Sequence, residues 1–189
     1  MVLSKNPGSP NATRRQKQIE DCLYSNLLQR PYTSVSVSDL CHQLEISRKS
    51  FYNYFPDKDS CFRAIISRKL RQCSLAVTAD RPRDTTLEDG ITLLMEFWKK
   101  ERAFLDILVR NSLLVMLIDQ CIQFLREEDK LILEYLNTSQ LKTDEYVLAC
   151  YVNVQITMIL QWYKGNYEIP VEEMVRKYKR LLYEPLLSL

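Results

Sequence analysis

Between Ser47 and Lys58 the chain reads SRKSFYNYFPDK, and eight of these twelve side chains carry a hydroxyl, amide, guanidinium or ammonium group: Ser47, Arg48, Lys49, Ser50, Tyr52, Asn53, Tyr54 and Lys58. Such groups recognise polyanions and base edges. Arg48 and Lys49 can reach guanine edges or phosphates, and the hydroxyls of Ser47, Ser50, Tyr52 and Tyr54 suit phosphate oxygens. Asn53 can read adenine or bond the DNA backbone. Catalytic chemistry finds no comparable constellation. The chain has 1 His, His42, with no H-E-x-x-H or E-x-x-H pair, no glycine-rich phosphate loop and no nucleophile elbow. His42 is therefore expected at the surface or in a cap, and the chain is expected not to be an enzyme.

The elements that position these groups read as helices. Thr13 caps a first helix reaching about Gln29, where Pro31 ends the pattern; Arg14, Arg15 and Lys17 in its first turns oppose the helix dipole, which makes sense beside phosphates. Ser36 caps a short second helix, Val37 to Leu44, with Asp39 completing a capping box. Ser47 caps a third, in which Phe51 and Phe55 face the core and the donors face outward. A fourth helix from Asp57 to about Ala79 carries the stripe Phe62, Ile65, Ile66, Leu70, Cys73 and Val77.

A short helix, a tight turn and a donor-rich short helix resemble the DNA-binding domain of the TetR family. The resemblance rests on Ser47, Phe51, Tyr52, Tyr54, Phe55 and Lys58, and it covers about 60 residues. It implies DNA contacts from Arg14, Arg15, Ser36, Ser38, Ser47, Arg48, Lys49, Ser50, Tyr52, Asn53 and Tyr54, with Lys58 meeting a phosphate at the fourth helix. Two positions depart from the family pattern: Glu45 stands where the turn usually has Gly, and Lys49 follows the basic residue where Gly is usual. A left-handed turn at Glu45 would cost about 1 kcal/mol or more.

Charge agrees with this placement. The net charge of the 189-residue chain is only +2, yet Met1 to Gln72 holds 12 Lys or Arg against 6 Asp or Glu, while the remainder is acidic. The 46% hydrophobic content with 3 Gly and 7 Pro favours an all-α fold. No apolar run is long enough for a membrane span. Residues 1–12 read as a disordered tail rather than a signal peptide. The 6 Cys lie far apart without a C-x-x-C pair, so they are expected to be reduced packing residues in a cytoplasmic protein, with no metal and no cofactor.

The expected organisation is a tail at 1–12, a helix-turn-helix domain at 13–56, a connecting helix at 57–79 and a helical effector and dimerisation domain at 80–189, after the polar segment around Pro82. Helices are expected at Leu87 to Lys100, Glu101 to Arg110, Ser112 to Leu136, Thr143 to Lys164 and Pro170 to Tyr183, with Gly165 stopping the fourth of these and Pro170 opening the last. The last two offer Tyr146, Val147, Val154, Met174, Tyr178, Leu181 and Leu182 for an isologous homodimer. An effector pocket would draw on Phe97, Trp98, Phe104, Leu108, Leu114, Met116, Phe124, Tyr151, Gln155, Met158 and Trp162, suited to a small apolar or aromatic effector. The stretch QWYKGNYEIPVEEM also resembles the ending of regulators of dihydroxyacetone metabolism. The function these features imply is an effector-responsive repressor that binds a palindromic double-stranded DNA operator as a homodimer. The alternative is an activator or coactivator controlled by a protein partner.

Overall fold

The computed structural model describes residues 10–78, 86–127 and 144–183, and regular structure among them is entirely helical. The helices are α1 (Pro10–Gln29), α2 (Val37–Gln43), α3 (Arg48–Tyr52), α4 (Lys58–Thr78), α5 (Leu87–Lys100), α6 (Arg102–Arg110), α7 (Leu114–Glu127), α8 (Glu145–Lys164) and α9 (Val171–Tyr183), with a single 3-10 turn at Tyr32–Ser34. The chain forms two compact units. One runs to Arg68 and takes in Ile107–Leu117; the other comprises Lys69–Asp106 and Ile118 onward.

Most helix starts are capped as their sequences require. Ser36 and Thr86 each close a capping box with the Asp three residues on, and Asp144 accepts from the N–H groups of Tyr146 and Val147. The start of α8 thus follows Asp144 rather than Thr143. The first helix also departs from expectation. It begins at Pro10, ahead of Thr13, because proline's fixed φ suits the first helical position and its missing N–H is no loss there. Residues 1–9 of the expected tail, 79–85 around Pro82, 128–143 at the expected end of the seventh helix and 184–189 lie outside the described residues.

Helix ends follow a rule that the sequence conceals. After α2, Glu45 is left-handed at φ 51°, its N–H donates to His42 O at 3.2 Å and the Ile46 N–H donates to Cys41 O at 3.0 Å. After α6, Ser112 at φ 56° repeats the pattern, with N–H donors of Ser112 and Leu113 on Val109 O and Leu108 O. After α8, Asn166 at φ 51° does the same, with Asn166 on Tyr163 O and Tyr167 on Trp162 O. Each is a Schellman closure, and each brings an apolar residue just past the helix back to the last turn. The Tyr167 ring meets Trp162 edge-on at 5.0 Å. Gly165 does precede this closure, but at φ −77° it is not the left-handed residue; neither Gly90 nor Gly165 is left-handed.

In the first unit the core is Ile19, Leu23 and Leu27 of α1 with Tyr32, Val35, Leu40, Phe51, Phe55, Phe62, Ile65 and Ile66, all buried. Polar contacts fix the edges of this bundle. Arg68 bridges the buried Glu20 and Asp21, Arg110 donates to Leu27 O at the end of α1 at 2.5 Å, and Asn111 accepts from the Tyr32 N–H at 2.7 Å. In the second unit α9 packs on α5, burying Val171, Met174, Val175 and Tyr178.

Candidate nucleic-acid interface

The α2-turn-α3 segment builds one face of donors on one face of core. Phe51 and Phe55 are fully buried and pack against each other as a tilted pair with ring centroids 5.9 Å apart. With those two facing inward, the helical repeat turns Ser47, Arg48, Lys49, Tyr52 and Asn53 outward, and all five are exposed. Helix α3 is shorter than a run from Ser47 to Phe55: its helical stretch stops at Tyr52, and Tyr54 and Phe55 follow on turn bonds to Phe51 O. Pro56 disfavours helical geometry in the residue before it, which explains the early stop.

Capping makes the start of α3 rigid. The Ser47 hydroxyl accepts from the Ser50 N–H at 3.1 Å, so Ser47 can act toward DNA through its remaining donor. Ser36 has the same double duty in α2, where its hydroxyl accepts from Asp39 N–H and its own N–H donates to the Asp39 carboxylate at 2.9 Å. These bonds to Ser36 hold the Asp39 carboxyl below its ordinary pKa. Arg48 reaches across to α2 and donates through Nε to Ser38 Oγ at 3.0 Å, with a second contact from its Nη2. The guanidinium has further N–H groups beyond these two, so the contact orients it on the surface.

Lys58 is placed less openly than a simple phosphate contact suggests. Its ammonium donates to the carbonyls of Tyr32 and Val35, both at 2.7 Å, and sits 4.0 Å from the Tyr32 ring centroid. Burial lowers its pKa. Two of the three ammonium donors are thus engaged in holding the loop before α2 against the start of α4, and one remains for a phosphate. Tyr32 completes this support: its hydroxyl donates to Asp59 at 2.5 Å, and desolvation with that bond raises its pKa. Sequence reasoning passed over Tyr32. The available signal was an aromatic residue directly after Pro31, the place where the chain must turn between α1 and α2.

The remaining donors are distributed around this face. Arg14 is exposed at the start of α1, Arg15 and Ser50 are half-buried, and Tyr54 and Ser38 are half-buried as well. Arg15 borders an open groove with Gln18, Asp21, Cys22, Ser25, Gln43, Leu44 and Glu45. Asn26 and Gln43 join α1 to α2 across that region through reciprocal amide bonds of 2.8 and 3.1 Å.

The residues expected at a pocket are divided between the two units, and on α8 they border those expected at a dimer interface. Of the pocket candidates, Leu108, Leu114 and Met116 belong to the first unit and the others to the second. On α8 the inward face is Leu148, Val152, Ile156, Ile159, Leu160 and Trp162; Tyr151, Gln155 and Met158 are half-buried along its border, Val147 and Val154 are exposed within one turn of Tyr151 and Met158, and Tyr146 is exposed further round. Met174 and Tyr178 are not surface residues: the apolar stripe of α9 is covered by α5 within the same unit, leaving 4% and 1% of them exposed. Leu181 is half-buried, and the Leu182 side chain is outside the described residues. All 6 cysteines are free; Cys41, Cys61 and Cys73 are buried as packing residues, but Cys150 is exposed. Among the described residues no group of His, Cys, Asp and Glu could hold a metal ion, and no helix is long and apolar enough to cross a membrane.

Comparison with known proteins gives this geometry a context. Residues 26–65 match the profile of bacterial regulatory proteins of the tetR family, and residues 85–184 match a transcriptional regulator C-terminal region. The HTH-type transcriptional regulator EthR of Mycobacterium tuberculosis is 35% identical over 85 residues, which cover 41% of this chain and 39% of EthR. The chain thus spans about two fifths of the curated relatives it matches. Among solved structures, the fatty acid degradation regulator FadR from Bacillus halodurans superposes with a TM-score of 0.59 at 16% identity, covering 96% of this chain and 98% of that one. The dihydroxyacetone kinase operon activator DhaS gives 0.53 at 15% identity over 88% and 93%. At these identities the structural matches speak for the fold alone.

Proposed function

Because this chain belongs to the TetR family of bacterial transcriptional regulators, a family of DNA-binding and not catalytic proteins, we propose that it is a cytoplasmic, effector-responsive repressor that grips a palindromic operator as a homodimer. The observation that carries the DNA-binding part is the outward donor face of α3, capped by Ser47 and backed by Phe51 and Phe55. A five-residue helix has little stability of its own, so the buried aromatic pair is what holds the donors at a fixed height for a major groove.

Dimerisation is proposed through the exposed side of α8, where Tyr146 is 83%, Val147 43% and Val154 37% exposed in the single chain. An apolar stripe on a long helix facing its own symmetry mate makes a self-complementary contact. Two recognition helices would then meet half-sites about 34 to 36 Å apart. The effector is proposed to bind in the second unit along the half-buried stripe of α8 that runs from Tyr151 through Gln155 and Met158 to Trp162, and it releases DNA only to the extent that it prefers a state with the wrong spacing.

Selection of bound fragments from random or genomic DNA tests the whole reading. The expected product is a two-fold symmetric site, bound with a steep decrease of log K against log salt. Fragments without symmetry would remove the dimeric mode, and a salt slope near zero would remove DNA binding.

A further inference from the structure

Gln155 of the second unit is half-buried as a residue, yet its amide nitrogen and oxygen are both shielded from solvent, and neither Nε2 nor Oε1 has a hydrogen-bond partner. A buried amide usually finds partners, since leaving donors and acceptor unsatisfied is unfavourable. This one lies at the half-buried border of α8's inward face, one turn from Tyr151 and two turns from the buried Trp162, so its surroundings on that helix are aromatic and apolar. The Tyr151 hydroxyl is itself 3.2 Å from that of Tyr178 on α9. The Tyr167 hydroxyl is orphaned too, but it lies beyond the end of α8, against the ring of Trp162.

Resting on the effector reading above, we propose that Gln155 is the polar anchor of the effector site and that it selects an uncharged ligand with a carboxamide or lactam on an apolar or aromatic body. The chemistry is complementary at two points. A side-chain amide offers an N–H donor and a carbonyl acceptor side by side, and another primary amide or lactam meets both at once. An ester satisfies the donor and leaves the Gln155 carbonyl unpaired. A carboxylate does the same while setting negative charge against that carbonyl oxygen. A site built to bond a polar group rejects the analogue that lacks it.

The test uses the full chain, with benzamide as probe and methyl benzoate and benzoate as its matched controls. Trp162 lies on the same stripe and supplies a fluorescence readout, with thermal shift as the second. Benzamide is expected to bind about tenfold more tightly than methyl benzoate, and Gln155→Leu is expected to abolish that preference while melting at the same temperature or higher. The melting result separates an anchor from a structural amide: a marked loss of stability in the leucine variant would show that Gln155 is bonded within the fold, and would overturn the proposal. Equal binding of the three probes, or a preference that survives in Gln155→Leu, would overturn it too. Anilinonaphthalenesulfonate needs an apolar cavity but no amide partner and reports on the pocket separately. Its binding without a benzamide preference overturns the anchor alone, whereas no binding by it or by benzamide overturns the small-molecule reading as well.

Discussion

At the scale of single residues, the donor face of α3 and the left-handed position beside it make opposing demands on the same turn. Arg48→Ala, Lys49→Ala and Tyr52→Phe should each weaken operator binding with unchanged circular dichroism, because all three side chains are exposed. Each lost phosphate contact by Arg48 or Lys49 should lower the salt slope by about 1, and titrations at several salt concentrations would read this directly. Three unaffected variants would mean that another face meets DNA. Arg48→Ala also frees Ser38 from its bond, so its effect should exceed that of Lys49→Ala. Glu45 is a different case. Holding a non-glycine residue at φ 51° costs roughly 1–2 kcal/mol, so Glu45→Gly should raise stability in chemical denaturation by about 1 kcal/mol after the entropy that glycine loses. A destabilised Glu45→Gly protein would show that the carboxylate contributes something the turn geometry does not reveal.

At the scale of elements, the helices were legible in the chain because their signals are local. Capping boxes at Ser36 and Thr86, the stripe of α4 from Phe62 to Val77 and the Phe51 and Phe55 pair all come from spacing within one turn or a few. The outward face of α3 was legible for the same reason, since the inward phenylalanines dictate which neighbours point out. What could not be read was long-range. The role of Tyr32 depends on Asp59 and Lys58 meeting it from α4, and the covering of Met174 and Tyr178 depends on α5 arriving from the other end of the unit. Helix stops were hidden for a third reason, because the usual glycine marker is absent and Glu45, Ser112 and Asn166 perform its task. Asparagine tolerates that conformation best, so Asn166→Gly should gain less than Ser112→Gly in thermal melts. An equal or reversed order would indicate that the Asn166 bond to Arg102 is dispensable. Starts can be tested similarly: Asp144→Ala should cost about 1 kcal/mol by removing the cap of α8, seen as a lower denaturation midpoint.

At the scale of the molecule, two charge insertions separate packing from assembly. Tyr178→Glu would bury a carboxylate in the core between α9 and α5, so it should destabilise the second unit by several kcal/mol and give a protein that melts early or fails to fold. Val154→Glu places the same charge on an exposed position of α8, where a single chain tolerates it. It should keep the melting profile of an isolated chain yet sediment as a monomer, and operator affinity should collapse through loss of the second half-site even though no DNA-facing side chain has changed. A Val154→Glu protein that still sediments as a dimer would move the interface off this side of α8.

Cys150 lies on that same exposed side of α8, in the stripe with Tyr146, Val147 and Val154. It is the most accessible thiol of the chain, since the other cysteines are buried or half-buried. A nitroxide attached there needs no engineered cysteine and few competing sites have to be silenced. In a two-fold assembly the label would face its own copy, and the dipolar coupling between the two spins would record the separation of paired α8 helices in the presence and absence of operator DNA. The protein therefore carries its own molecular ruler at the contact on which its proposed action depends.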